Sequence, residues 1–513
     1  MLRPLVAVTA TALLLAGCSG GDNDKSDSPS GDSDNTAGST PTPSTPDLPS
    51  FDPPKGFSPL TAVAEARPEG TLELYPGKAG MVGKTTLYAN STVLTGVWID
   101  GGQSWQVPTK DIASTKVVDF AQPVAVQLDG KEVISTAYVQ NVEAGGTQKA
   151  HGQVNFQWID PADGKVLVSV AVDLTPTIGP GNTGGNLISQ AYDSATGQVA
   201  VGLGVKSGAG TKSKYSVVSA YADPKTKKGS VIPQVAAAGV LDGTVVGAQG
   251  EGHESATDLS IAIADGGTGA IKKSIPTPGM NYLSVEGSGG KRAYLSGRGY
   301  VQDTKYDHHY VNSLYAVDIA SAAMVVTKLA NTPDSGAGLD CLSDHVTGLV
   351  CTYGGTQTAD GRDIDEIAGF DDTTGKKSWG YSSEAASRVV PDLTAYYNGY
   401  VYGQAQTQPA VLDGKTGQDI PVPTPTPGAS QTPADGGTPT PGGTPSDDSG
   451  PTGDGTPTPG KGGQDTWGDP SLIYGDPRSP EAVSKYGSTY LLAAGSTAPL
   501  GSENILVVQK AIG

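Results

Sequence analysis

The sequence predicts an all-β fold: a β-propeller of seven four-stranded antiparallel blades, with eight as the alternative count. Three observations carry this. A five-residue turn, Asp-x-x-Thr-Gly, recurs through the middle of the chain. Most copies follow a short segment of alternating apolar residues, such as Leu259-Ser-Ile-Ala-Ile-Ala264 or Leu314-Tyr-Ala-Val317, and precede another short strand. The composition of the 513-residue chain, with Gly 72, Pro 38, Phe 5 and Met 4, suits short strands and tight turns rather than long helices.

The elements follow in chain order. Residues 1–17 have the pattern of a signal peptide. Arg3 supplies a positive start, and Val6 to Leu15 is an apolar run too short to span a bilayer. The run ends in Leu15-Ala16-Gly17-Cys18, which resembles the bacterial lipobox. That resemblance implies cleavage before Cys18, a diacylglyceryl group on its thiol, and a place on the extracytoplasmic side of a cell membrane. Two acyl chains suffice for stable anchoring. Residues 18–58 are Ser, Asp, Gly, Pro and Thr with almost no apolar side chain, the composition of a disordered tether.

Residues 59–420 hold the expected blades. Four perfect turns are Asp193 to Thr196-Gly197, Asp265 to Thr268-Gly269, Asp371 to Thr374-Gly375 and Asp413 to Thr416-Gly417. Degenerate copies start at Asp160, Asp223 and Asp318. About one perfect match is expected by chance, so four is a signal. The chemistry explains the pattern. The Asp carboxylate accepts backbone N–H groups two residues on, the Thr hydroxyl adds a local bond, and Gly supplies positive φ. Such a turn joins two antiparallel strands and performs no catalysis. Turns at 160, 223, 265, 318, 371 and 413 are spaced as outer hairpins of six blades. Asp193 follows too soon for a blade of its own and is placed between inner strands. The seventh blade is expected from C-terminal strands in 468–513 pairing with strands near residues 71–107, which would close the ring. Counting Asp193 as its own blade gives eight. Between the two folded stretches, residues 421–467 form a Thr-Pro and Gly-rich insertion of disordered composition, a spacer or an O-glycosylation site.

The segment Ala368-Gly-Phe-Asp-Asp-Thr-Thr-Gly-Lys-Lys-Ser-Trp379 resembles the repeat of the pyrroloquinoline-quinone-like β-propeller family: short strand, turn, then a strand carrying Trp. The resemblance covers roughly residues 115–420 and implies one blade per repeat, with this turn joining the two outer strands. It also raises quinone-dependent dehydrogenase chemistry. Members with that activity carry a Trp floor and often a vicinal disulfide. Here Trp98, Trp105, Trp158, Trp379 and Trp467 fall in no site motif, and Cys341 and Cys351 are ten positions apart. No cofactor is therefore expected.

Cys341 and Cys351 flank Leu342 to Val350, which has the pattern of two strand ends around a turn. An exported compartment permits a structural disulfide between them. Other candidate chemistry is weak. Asp360-Gly-Arg-Asp-Ile-Asp-Glu366 is dense in carboxylates but lacks the EF-hand spacing, so a solvated blade loop is expected. His308-His309 beside Asp307 would need a loop to converge on a metal, because neighbours on a strand point apart. No metal site and no catalytic residue are assigned, and no GxSxG, HExxH or phosphate loop occurs. Tyr396-Tyr-Asn-Gly-Tyr-Val-Tyr402 is expected to be an inner hairpin turning at Asn398-Gly399.

The net charge of -19 argues against a nucleic-acid partner, which needs clustered Lys and Arg. The leading functional expectation is a non-catalytic scaffold that binds an envelope or cell-surface protein, or a polymer. The alternatives are a propeller enzyme with carboxylates in the channel, and a ligand- or metal-sensing receptor. An enzyme predicts a charged pocket at the channel mouth; a scaffold predicts an exposed aromatic or apolar patch on one face.

Overall fold

The structure is a computed structural model. It describes residues 47–58, 62–65, 78–89, 93–100, 103–108, 115–147, 149–179, 184–207, 214–250, 259–302, 308–329, 339–357, 363–384, 388–423, 478–493 and 504–513. Cys18, Trp467, Asp307, the Asp360–Arg362 stretch and the whole insertion core lie outside these residues. Among the described residues no helix is long and apolar enough to cross a membrane.

Eight antiparallel sheets follow one another along the chain. Blade I comprises Lys78–Val82, Thr85–Ala89, Val93–Trp98 and Ser104–Pro108. In blade II the innermost strand is interrupted into Thr115–Phe120 and Val124–Leu128, both paired with Lys131–Val142, followed by His151–Ile159 and Val166–Asp173. Blade III is Leu187–Tyr192, Val199–Ser207, Lys214–Asp223 and Lys228–Pro233. Blade IV is Val235–Leu241, Thr244–Gln249, Ser260–Asp265 and Ile271–Pro276. Blade V is Tyr282–Ser288, Arg292–Gln302, His308–Asp318 and Met324–Lys328. Blade VI is Leu339–Ser343, Gly348–Gln357, Asp363–Asp371 and Lys377–Ser382. Blade VII has Asp392–Tyr397, Tyr400–Ala405 and Gln408–Asp413, and its fourth strand shrinks to a single bridge, Leu412 to Asp419. Pro421 and Pro423 follow at once. They lack the N–H that a longer ladder needs, and Pro409 lacks it on the facing strand.

Blade VIII closes the ring. Ala482–Ser484, Gly487–Ala493 and Asn504–Ile512 pair in order, and Gly56–Phe57 and Ala62–Glu65 both add to the outer edge of Asn504–Ile512. This corrects the seven-blade expectation. The C-terminal strands do meet the N-terminal region, but their partners are residues 56–65. Residues 78–108 need no help, because they already form a complete four-stranded blade. The count is therefore eight, and Asp193 does not supply the extra blade. The folded part also begins earlier than Ser58: Phe51 N donates to Lys485 O, and Asp52 accepts from Asn398 Nδ2 at 2.6 Å.

Apolar side chains from neighbouring blades share the core. One cluster joins Val126, Trp158, Val170, Val201 and Ala222 of blades II and III; another joins Ala238, Ile263, Leu295 and Val317 of blades IV and V. Full burial of each such Val, Leu or Ile stabilises by roughly 1.5–3 kcal/mol. Alternation along each strand sends one set of side chains to each neighbouring blade, which is why both faces are apolar.

Candidate functional site

The chain crosses each blade up and down. Turns between strands one and two, and between three and four, therefore share one face. Connections between strands two and three project from the other. The Asp turns all lie on the first face. Those starting at Asp160, Asp223, Asp265, Asp318 and Asp371 join strands three and four; Asp413 follows the third strand of blade VII, and Asp193 joins strands one and two of blade III.

Their hydrogen bonds are local. Asp265 Oδ1 accepts Thr268 N and Oγ1, each at 3.0 Å; Asp371 Oδ1 accepts Thr374 N at 2.7 Å and Oγ1 at 2.8 Å; Asp413 Oδ1 accepts Thr416 N at 2.9 Å and Oγ1 at 3.1 Å. Asp193 Oδ1 accepts Ala195 N at 2.9 Å. Gly197, Gly269, Gly375 and Gly417 have φ between 68° and 75°. Lys227 and Ala322 hold the same left-handed place with φ of 53° and 57°, which costs more for a residue with a side chain.

The turn glycines do a second job. Trp379 of blade VI donates from Nε1 to Gly414 O at 2.7 Å in the next blade, and a Cβ on Gly417 would lie 2.3 Å from its ring. Trp105 of blade I meets the turn of blade II in the same way, donating to Pro161 O at 3.1 Å, and a Cβ on Gly164 would lie 2.5 Å from it. Trp158 donates to Gly197 O at 2.8 Å. Three of the five tryptophans thus lock one blade to the next.

The sequence reading missed one copy of the turn. Asp344-His-Val-Thr-Gly348 fits the pattern and lies between the two cysteines. Asp344 accepts Val346 N at 3.0 Å and Thr347 N at 2.7 Å through Oδ1, and Thr347 Oγ1 at 2.6 Å through Oδ2. Like Asp193, it joins strands one and two, so its turn lies next to the axis. Cys341 and Cys351 face each other directly across this hairpin and form a disulfide, S–S 2.08 Å and Cα–Cα 4.0 Å.

The two inner copies meet. Tyr192 precedes Asp193 in blade III, His345 follows Asp344 in blade VI, and their rings meet in a tilted contact with centroids 3.9 Å apart and an interplanar angle of 33°. Blades III and VI are not neighbours, so this contact reaches across the centre of the ring. The His345 backbone is left-handed, φ 56°, and Nδ1 lies 2.9 Å from Ser288 Oγ of blade V. Burial pushes the imidazole down to about 4, against an upward pull from Asp344. Burial, with Asp344 adding to it, pushes the Tyr192 hydroxyl well above its ordinary value. Ser288, His345 and Asp344 do not form a hydrolytic triad. Ser288 is 1% exposed, and both Asp344 oxygens are occupied, Oδ2 also accepting Gly399 N at 2.9 Å from blade VII. On the inner strand of blade V, burial raises the Glu286 carboxyl, which accepts Ser296 Oγ at 2.5 Å. No group of three or more His, Cys, Asp or Glu side chains among the described residues could hold a metal ion. His309 lies in a strand, and the Tyr-rich segment turns at Asn398-Gly399 with φ of 47° and 90°, burying Tyr402.

The opposite face carries two-stranded ribbons. In blade V, residues 299–302 pair only with 308–311, beyond the reach of the first and fourth strands. Four residues extend the ribbon by roughly 13 Å. Blades III and VI have similar extensions at 204–207 with 214–217 and at 354–357 with 363–365. The blade V ribbon is aromatic. Tyr300 is 45% exposed and Val301 39%. Tyr300 packs edge-on against Tyr310, centroids 5.7 Å apart. At the base the Arg298 guanidinium lies 5.3 Å from the Tyr282 ring and 5.5 Å from Tyr310. On the other face, Phe51 and Asp52 lie against Lys485 and Asn398.

Neither protein-family models nor curated proteins match the chain. Solved structures do. The WD40 domain of SCAP from fission yeast is 10% identical, with 66% of this chain and 82% of that one covered and a TM-score of 0.29. The β-propeller domain of the Trilobed protease from Pyrococcus furiosus is 10% identical over 60% and 83%, TM-score 0.32. The dihydro-heme d1 dehydrogenase NirN is 14% identical over 74% and 75%, TM-score 0.34. The fold assignment itself rests on the eight-sheet topology.

Proposed function

We propose that this chain is an extracytoplasmic lipoprotein, held to a cell membrane through lipid on Cys18, whose propeller is a non-catalytic scaffold for an envelope protein or polymer. The observation that carries it is the blade V ribbon. Its exposed Tyr300 and Val301, with Arg298 set between Tyr282 and Tyr310, form the aromatic and arginine surface typical of binding hot spots. The ribbon projects from the face opposite the inner turns that carry Asn398 and Lys485. The Trp105 and Trp379 contacts with turn glycines support kinship with the pyrroloquinoline-quinone-like repeats as a structural likeness. They also occupy these rings in blade packing, so they are not available as the floor of a cofactor site.

Fractionation and capture test the two halves separately. Cys18→Ala is expected to release the protein from the membrane fraction, while retention would refute the anchor. Cross-linked capture is expected to return a reproducible envelope partner with the native chain and to lose it with Tyr300→Ala plus Tyr310→Ala. Capture that ignores this pair, or quinone-dependent dye reduction by the purified protein, would overturn the scaffold reading.

A further inference from the structure

A cleft of about 320 Å³ opens on the turn face between blades III and IV. Four separate turns build it, with Gln198 from the inner turn of blade III. Asp223 and Lys228 come from the outer turn of blade III, Asp242 from the inner turn of blade IV, and Asp265 and Lys272 from its outer turn. Tyr221 also lines it. Its ring lies under Gly266, where a Cβ would come within 2.6 Å, and only 2% of the residue is exposed. The Tyr221 hydroxyl makes no hydrogen bond to any described residue. Burial, with Asp223, Asp193 and Asp265 nearby, pushes its pKa well up, so it stays protonated and can donate.

The cleft's polar groups are partly spent. Lys272 Nζ pairs with Asp265 Oδ2 at 2.7 Å, and Gln198 Oε1 accepts Gly243 N at 2.6 Å. Asp223 uses Oδ1 on Lys225 N at 2.9 Å, which leaves Oδ2. The Asp242 carboxylate and the Lys228 ammonium have no described partner. What remains is two acceptors, an ammonium donor and the hydroxyl of the largely buried Tyr221, within a space suited to a small ring. A cation would meet Lys228 and Lys272; an anion would meet three carboxylates. A neutral ligand with several hydroxyls meets neither penalty, because each hydroxyl can donate to Asp and accept from Lys.

We propose that this cleft binds a hexose-sized neutral sugar, either free or as a unit of a glycan. The site is separate from the ribbon surface and independent of the anchor, so failure here leaves the scaffold reading untouched.

Saturation-transfer NMR on the purified protein tests it, with glucose, N-acetylglucosamine and their β-1,4-linked trimers as probes and alanine as the zwitterionic competitor. Saturable binding of at least one sugar is expected. Asp242→Asn, which keeps a side chain that tolerates the left-handed φ of 45°, is expected to weaken it about tenfold. Tyr221→Phe, which removes only the hydroxyl, is expected to weaken it severalfold with the ligand-free melting temperature preserved. Tighter binding of a trimer assigns the source to a glycan, and equal binding assigns it to the free sugar; either outcome supports the site. No saturable signal from any sugar, binding unchanged in both variants, or displacement by alanine overturns it.

Discussion

The rings of Tyr192 and His345 meet in a tilted contact, 3.9 Å between centroids, although they belong to blades III and VI. Each sits beside the Asp of an inner turn, and each Asp in turn accepts a backbone N–H from the next blade: Asp193 from Asp242 at 3.2 Å, Asp344 from Gly399 at 2.9 Å. The axial contact is therefore held at both ends by turns that are themselves tied to their neighbours. Besides His345, the titratable groups facing this contact are Tyr192 and Asp344, while Ser288 provides the uncharged partner.

The first prediction concerns pH. His345 titrates at about 4 in the folded chain, below its ordinary 6.5. The unfolded state therefore takes up this proton first as pH falls. The stability supplied by the neutral ring is present above about 6.5 and is lost progressively down to about 4. The slope from one proton is at most about 1.4 kcal/mol per pH unit. His345→Asn tolerates the left-handed backbone and removes the titration. Urea unfolding at several pH values should show the native chain losing more stability than the variant between pH 6.5 and 4.5. Parallel curves would refute the assignment. The comparison matters because Glu132, Glu286, Asp372 and Glu481, whose carboxyls burial raises, push the pH dependence the opposite way in both proteins.

Local chemistry was legible in the sequence, and long-range closure was not. The Asp265 and Asp371 turns complete their hydrogen bonds within five residues, so the pattern alone carries their geometry. Blade I lacks the signal: its outer hairpin runs through Ile99 and Asp100 without an Asp-x-x-Thr-Gly copy, so no repeat marked residues 78–108 as a blade. The outer-edge partners of Asn504–Ile512 lie more than 400 residues away, and only the pairing itself selects residues 56–65 over 71–107. Asp344 carries the full pattern within the ten residues that separate Cys341 from Cys351. Nothing local marks His345 as the partner of Tyr192.

The disulfide supports the second prediction. Cys341–Cys351 clamps the hairpin that carries His345 to the axis. Closing a loop of this length restricts the unfolded chain by roughly 2–3 kcal/mol. Reduction, or Cys341→Ser with Cys351→Ser, should lower the melting temperature in calorimetry. The double variant should also become insensitive to reductant. A melting temperature that reductant leaves unmoved in the native chain would show the bridge to be absent or without weight.

The third prediction isolates the packing of tryptophan on turn glycine. Gly417 and Gly130 have left-handed φ of 68° and 76°, so Ala pays a similar backbone cost of roughly 1 kcal/mol at either. Their surroundings differ. A Cβ on Gly130 meets nothing within 4 Å, while one on Gly417 would lie 2.3 Å from the Trp379 ring, which Gly414 O holds in place through Nε1. Gly417→Ala must therefore add an overpacking cost of about 1–3 kcal/mol that Gly130→Ala escapes. Denaturant unfolding of the two variants should show that gap, and Trp379→Leu in the Gly417→Ala background should narrow it by making room. Equal losses at the two glycines would mean that backbone conformation alone selects glycine here, and that Trp379 does not lock blade VI to blade VII.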